Sequence, residues 1–409
     1  MKNILLLLIL CLIMCCKPHK TVQNNLKKDV SYLASDELEG RQTGTRGEKA
    51  AATYIKNRFK ELELLPKGTN GFIQPFTFKP KTNPHEEVKF DVNGDGTITG
   101  NNVIAYLDNN VENTIIIGAH YDHLGYGGDG SLHRDSMKAI HNGADDNASG
   151  IAILLHLADR LKQKNLNNNN NYLFMAFSGE EMGLLGSNYF VKNPTIDTKK
   201  VSYMINMDMV GRLKQDSALA VYGTGTSPIF KHTLKSNNKN FKLIEQESGV
   251  GPSDHTSFYL ADIPVLHFFT GQHEDYHKPG DDAEKLNYKG METISNYIFN
   301  IISDLNDEGK LVFTKTKNEG KNTPRFKVGM GVIPDYMYDG RGMRIDGISE
   351  EKPAQKAGLQ KGDIVLKLGD SLVVDMMSYM RALSVFKKGD KSIVVVKRNQ
   401  EKIEKEIQF

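Results

Sequence analysis

With 409 residues the chain is long enough for two domains, one of them large. Its 52 basic residues balance 50 acidic ones, which excludes the basic footprint of a nucleic-acid binder. A hydrophobic share of 39% excludes a disordered chain.

All three cysteines, Cys11, Cys15 and Cys16, fall in the first sixteen residues, so the body holds no disulfide and no thiolate metal site. Any transition metal there must be held by imidazole and carboxylate. The N-terminus reads Met1-Lys2-Asn3, an apolar run from Ile4 to Met14, then Cys15-Cys16-Lys17-Pro18. That is a secretory signal, shorter than the about 20 residues of a spanning helix. Its end resembles a bacterial lipoprotein box with Cys16 as the lipidated first residue of the mature chain. The expectation is an exported protein held to a bacterial membrane by its lipid alone, with residues 1–16 as leader and 17–26 as a polar tether.

A larger domain is expected over 27–307. Val30, Leu33, Tyr54, Ile55, Phe59 and Leu62 recur at helical spacing around a Gly-rich, charged interruption at 36–47, which predicts helix, loop, helix. The stretch KFDVNGDGTITGNNVIAYL alternates and predicts a hairpin turning at Asn93–Gly96. Asp91, Asn93, Asp95 and Gly96 also match half of an EF-hand loop, but Asn102 stands where its closing Glu belongs and β-like sequence flanks it. Four continuous apolar runs follow at 114–120, 172–181, 202–209 and 263–269, as expected of strands buried on both faces. Helical patterns at 148–163 and 291–305 alternate with them, and the Asn167–Asn171 run is a loop. The fold expected is α/β, a three-layer sandwich around a mixed, largely parallel sheet. A polar linker at 308–325 leads to a small β-rich unit at 326–409.

Each buried run ends in ligand chemistry: His120-Tyr121-Asp122, Glu180-Glu181, Asp208, and the segment His273–His277, with Asp145-Asp146 opening a helix. In open α/β sheets the functional crevice lies at the carboxyl ends of the strands. Taken singly, each has a plain explanation as a helix cap, a solvated turn or a core histidine. Five such features at one sheet edge point instead to a hydrolytic metal site. HEDYH at 273–277 fits the H-E-x-x-H zinc pattern, but Gly271 and Pro279-Gly280 leave no room for the helix that pattern needs. The contiguous Ser253, Asp254 and His255 cannot form a nucleophilic triad, and Asp254 and His255 are expected to line the pocket or cap a helix.

The motifs LASDELEGRQTGTRGEKAAATYI, GAHYDHLG, NGADDNASG, FSGEEMGLLGS, NMDMVGR and YHKPGDD stand in order over about residues 25–305. Together they resemble the co-catalytic di-zinc aminopeptidase family of metallopeptidase clan MH. The resemblance implies two zinc ions and peptide substrates. Asp146 would bridge both ions, His120 and Asp208 would complete one, and Glu181 and His277 the other. Glu180 would be the general base, Asp122 would orient His120, and Tyr276 would polarise the scissile carbonyl. The insertion Gly127–His141 varies in the family and leaves the local pocket shape open. Carboxypeptidase and dipeptidase outcomes share this scaffold, as does glutaminyl cyclase, a relative with one zinc, and so would an inactive peptide-binding relative. The C-terminal unit resembles a bacterial PDZ domain, whose carboxylate-binding loop would be Gly329, Met330, Gly331 and Val332. That implies capture of protein C-termini by strand addition.

Overall fold

The computed structural model describes residues 19–80, 88–128, 130–133, 137–163, 169–316, 328–335, 338, 340–348 and 351–409; the leader and Cys16 lie outside them. The larger sheet has nine strands: β1 (Leu65–Pro66), β2 (Ile73–Phe78), β3 (Ile98–Leu107), β4 (Asn113–His120), β5 (Asn170–Phe177), β6 (Val201–Met207), β7 (Ala218–Tyr222), β8 (Lys242–Gln246) and β9 (Val265–Phe269). Their order is β1-β3-β5-β4-β6-β9-β7-β8, with β2 paired to β3. β5, β4, β6 and β9 run parallel, and β3 and β7 join them antiparallel.

The continuous apolar runs are explained by two cores. In β5, Tyr172, Phe174 and Ala176 enter one core while Leu173, Met175 and Phe177 enter the other. Successive side chains of a strand point to opposite faces, so burial of both faces removes any alternation. On the first face lie α1 (His19–Leu33), α2 (Arg46–Glu61), α3 (Gly150–Gln163), α5 (Phe230–Asn237) and α7 (Tyr288–Asp304). On the second lie α4 (Leu185–Lys192) and α6 (His255–Tyr259). This is the three-layer arrangement expected.

Three expectations need correction. Residues 19–26 are not a tether: they open α1, with Leu26 fully buried and Gln23 hydrogen-bonded to Glu292 at 2.9 Å. Apolar residues at 22, 26, 30 and 33 make a sparse helical stripe that the polar composition hides. The hairpin centred on Asn93–Gly96 does not form as a ladder. β3 pairs with β2, and among the described residues the arm before the turn meets β2 in a bridge from Phe90 to Phe78, with Asp91 N donating to Thr77 O at 2.9 Å. Finally, residues 309–316 pack on the large domain. Leu311 N donates to Ser202 Oγ at 3.1 Å and Thr316 N to Tyr259 Oη at 3.1 Å.

The smaller, six-stranded sheet holds β10 (Val332–Pro334), β11 (Met343–Ile348), β12 (Ile364–Leu368), β13 (Ser371–Leu372), β14 (Lys391–Arg398) and β15 (Glu401–Gln408), with helices α8 (Pro353–Lys356) and α9 (Met376–Ser384). It has its own core, including Met330, Ile345, Val365, Leu383 and Val394. β10 is an edge strand, paired only with β11 among the described residues.

Candidate metal centre and catalytic cleft

Because β4, β5 and β6 are parallel neighbours, the residues that leave them meet at one edge. His120 is the last residue of β4, Glu180 and Glu181 follow β5, and Asp208 follows β6. Asp146 arrives in the irregular turn before α3, where Asp281 Oδ2 accepts the backbone N–H groups of Asp145 and Asp146 at 2.9 and 3.1 Å.

Asp146 divides its oxygens between two groups. Its Oδ1 lies 3.3 Å from His120 Nε2, which is also 3.3 Å from Asp208 Oδ1. Its Oδ2 lies 3.2 Å from His277 Nε2, which is 3.3 Å from Glu181 Oε2. Ligand atoms on a tetrahedral zinc, with bonds of about 2.0–2.1 Å, stand about 3.3–3.4 Å apart. The buried Nε2 of His120 has no hydrogen-bond partner among the described residues, although two carboxylates flank it. Donors that converge without bonding one another fit a shared ion, and the imidazole–carboxylate set fits zinc.

Charge supports the same fit. Burial disfavours the charged form of each group. Even so, His120 and His277 hold the Asp146 carboxyl well below the usual carboxylate range, and His277 draws Glu181 down to about 2. Conversely, Asp208 and Glu180 raise His120 well above the ordinary imidazole range, and Glu181 does the same for His277. Burial drives the Glu180 carboxyl strongly upward, with Asp208 and Glu181 adding to it.

Asp122 sits behind the first group. Its Oδ1 is 3.7 Å from His120 Nδ1 and accepts the Glu180 backbone N–H at 3.1 Å, while Thr43 Oγ1 donates to Oδ2 at 3.0 Å. His277 is placed by the insertion the sequence left open: its Nδ1 meets Gly130 O at 2.8 Å, and Leu132 N donates to its carbonyl at 3.0 Å. Tyr276 stacks on the His277 ring with centroids 3.8 Å apart. Residues 273–277 form turns, not a helix, and the two histidines diverge: His273 Nε2 pairs with Asp145 Oδ2 at 3.2 Å. Asp254 and His255 are fully buried at the start of α6, where Asp254 makes no side-chain cap bond, and His255 stacks on His267.

Sequence reasoning missed several residues. His123 Nδ1 lies 2.7 Å from Glu181 Oε1 and 4.0 Å from Asp146 Oδ2, which adds a fourth side chain to the second group. The signal was present in the HYDH spacing. Arg41, fully buried, donates to the carbonyls of Leu33, Tyr121, Asn142 and Gly143, and so ties α1 to the loops that carry His123 and Asp145. Glu48 accepts from Tyr121 Oη at 2.7 Å, Ser178 Oγ at 2.9 Å and Asn101 N at 3.0 Å, which locks the ends of β4 and β5 together.

The metal centre opens into a cleft of about 530 Å3 lined by Asp146, Glu180, Glu181, Asp208, Tyr276 and His277, with Leu132, Met209 and Phe269 among its apolar walls. In the smaller unit, Gly329 is exposed and Met330 is core. Gly331 has a φ of 75°, and a Cβ there would stand 2.1 Å from the Lys352 side chain. Val332 begins β10.

Residues 102–302 match the model of peptidase family M28, and residues 314–409 match that of a PDZ domain. A probable leucine aminopeptidase of Trichophyton verrucosum is 34% identical over 173 residues, 40% of this chain and 44% of that protein. The chain spans about half the length of such curated relatives. Among solved structures, a zinc aminopeptidase from Bacillus subtilis aligns with a TM-score of 0.54 at 16% identity, covering 71% of this chain and 98% of that one. A glutaminyl cyclase from Bacteroides thetaiotaomicron aligns with a TM-score of 0.55 at 16% identity, covering 69% and 97%. At these identities the structures share the fold alone.

Proposed function

The chain belongs to peptidase family M28 and ends in a PDZ domain, and from that premise we propose that it is a zinc-dependent aminopeptidase holding two zinc ions. The observation that carries this reading is the division of Asp146: each oxygen lies 3.2–3.3 Å from its own histidine, and each histidine lies 3.3 Å from a second carboxylate. His120, Asp146 and Asp208 would hold one ion, and Asp146, Glu181 and His277 the other. Two complete ligand groups favour this over a one-zinc glutaminyl cyclase.

When bound, the ions supply Lewis acidity that makes water nucleophilic near neutral pH. The chain's own residues do the rest. Glu180 borders the cleft beside both groups and takes a proton from the attacking water. As the water oxygen bonds to the carbonyl carbon and the C–N bond breaks, Glu180 passes that proton to the leaving amine. The Tyr276 phenol donates to the carbonyl oxygen as charge develops there. Asp122 orients His120 and, through the Glu180 backbone N–H, the base as well.

Zinc stoichiometry, measured with turnover of leucine p-nitroanilide and of an N-acetylated control, tests the reading. Two ions per chain and activity only on the free amine are expected. One ion with cyclisation of N-terminal glutamine would overturn it. We further propose that Cys16 is lipidated and carries the chain on a bacterial membrane; an unmodified N-terminus beyond residue 17 by mass spectrometry would refute this. Among the described residues no helix is long and apolar enough to cross a membrane. The PDZ loop 329–332 is proposed to take free peptide carboxylates.

A further inference from the structure

The cleft that contains Asp146, Glu180 and His277 is also lined by Val332, Ile333 and Pro334, the whole of β10. This strand belongs to the other sheet. Side chains of a strand alternate: Val332 packs on the PDZ core, whereas Ile333 takes no part in it. Among the described residues β10 pairs only with β11, so it is an edge strand beside a catalytic centre.

A second observation places the PDZ domain near this cleft. The chain after α7 is fastened to the large domain as far as Thr316. Its N–H donates to Tyr259 Oη at 3.1 Å, and its Oγ1 accepts from Gly249 N at 3.3 Å. Gly249 lies three residues before Pro252, which itself lines the cleft. From Thr316 to Val328 the chain can reach at most about 40 Å. The linker is therefore anchored beside the cleft, and the PDZ domain begins within about 40 Å of that anchor.

From these two observations we infer that β10 is a wall of the catalytic cleft and limits substrates to short peptides. The inference rests on the peptidase reading and adds the substrate class to it. A cleft of about 530 Å3 falls within the range of about 300–1,000 Å3 that encloses a ligand of drug size. That is room for a short peptide but not for a folded chain. The PDZ domain, in this arrangement, is part of the substrate site as well as a binding module.

The test uses the full chain, zinc-loaded, with leucine-initiated peptides from dipeptide to decapeptide. Wild type should show kcat/KM falling with length. Ile333→Ala widens the wall and should raise the decapeptide-to-dipeptide ratio about tenfold, the scale on which removed side-chain volume alters pocket discrimination. Ile333→Arg should raise KM for every length with zinc content unchanged, while Ile393→Arg, on an exposed position of β14, serves as control and should match wild type. Length profiles of both Ile333 variants superimposable on wild type would overturn the inference. If wild type hydrolyses no peptide of any length, the peptidase reading fails, and calorimetric binding of leucine hydroxamate then judges the wall separately. Weaker binding by Ile333→Arg supports it, and unchanged binding overturns it.

Discussion

His120 and Asp208 stand at the ends of neighbouring parallel strands, whereas Glu181 and His277 are carried by turns. The first pair inherits its position from the sheet, and Asp122, Thr43 and the Glu180 backbone brace it from behind. His277 sits in a left-handed backbone conformation, φ 54°, rare for a residue with a Cβ, and is steadied by a contact from the insertion loop, Gly130 O. The burial differs accordingly: 1% of the His120 side chain is exposed against 14% for His277. One half of the centre is held by the fold itself and the other by contact between loops. The loop-held half should give up its ion more readily.

The largest effect should come from the residue the halves share. Asp146→Ala should lose both ions and at least about 10⁴-fold in kcat/KM, because both the Lewis acid and the proton transfer it supports disappear. Metal analysis of the purified variant checks this, and retention of one ion would show that the halves are independent.

Next in size is Glu180→Gln, which should keep both ions yet lose about 10²–10⁴-fold in kcat with little change in KM. Glu181→Gln should instead release the ion of the loop-held half, and added zinc should partly restore activity. Zinc loss from Glu180→Gln with full loading of Glu181→Gln would reverse the two assignments.

The contrast between halves is sharpened by their supports. His123→Ala removes the side chain 2.7 Å from Glu181 and should weaken the second ion about 10–100-fold, the usual cost of losing such a partner. Chelator titration followed by residual zinc should then show a lower first step and an unchanged second one. A lowered second step would place His123 with the wrong half. The smallest effect is expected of Thr43→Val, which deletes a hydrogen bond to Asp122 worth about 1 kcal/mol, or about fivefold in kcat. It should alter zinc binding in neither half.

The sheet edge was legible because parallel strands that exit together bring short motifs together, whatever the loops between them do. His120 and Asp208 stand directly at those strand ends, whereas Asp146 comes from the turn that opens α3. His123 was not legible, since its reach toward Glu181 depends on how the chain curves after β4. Arg41 carries the residue type least expected in a core, and only the four carbonyls around it account for its burial. β7 and β8 escaped notice for a different reason: each is five residues long, and β8 is a half-exposed edge strand with no strong apolar run. The hairpin at Asn93–Gly96 was misread because local alternation says that a strand exists but not which partner it takes.

The early start of α1 bears on how the protein would live at a surface. Helix already runs at His19, the first described residue, and is packed into the domain by Leu26. If Cys16 bears acyl chains as proposed, only residues 17 and 18 lie between lipid and fold, at most about 10 Å of chain. Such a catalyst is moored, not leashed. It would ride against the headgroups with little freedom to turn, and the peptides it meets would be those arriving within a domain's width of the bilayer.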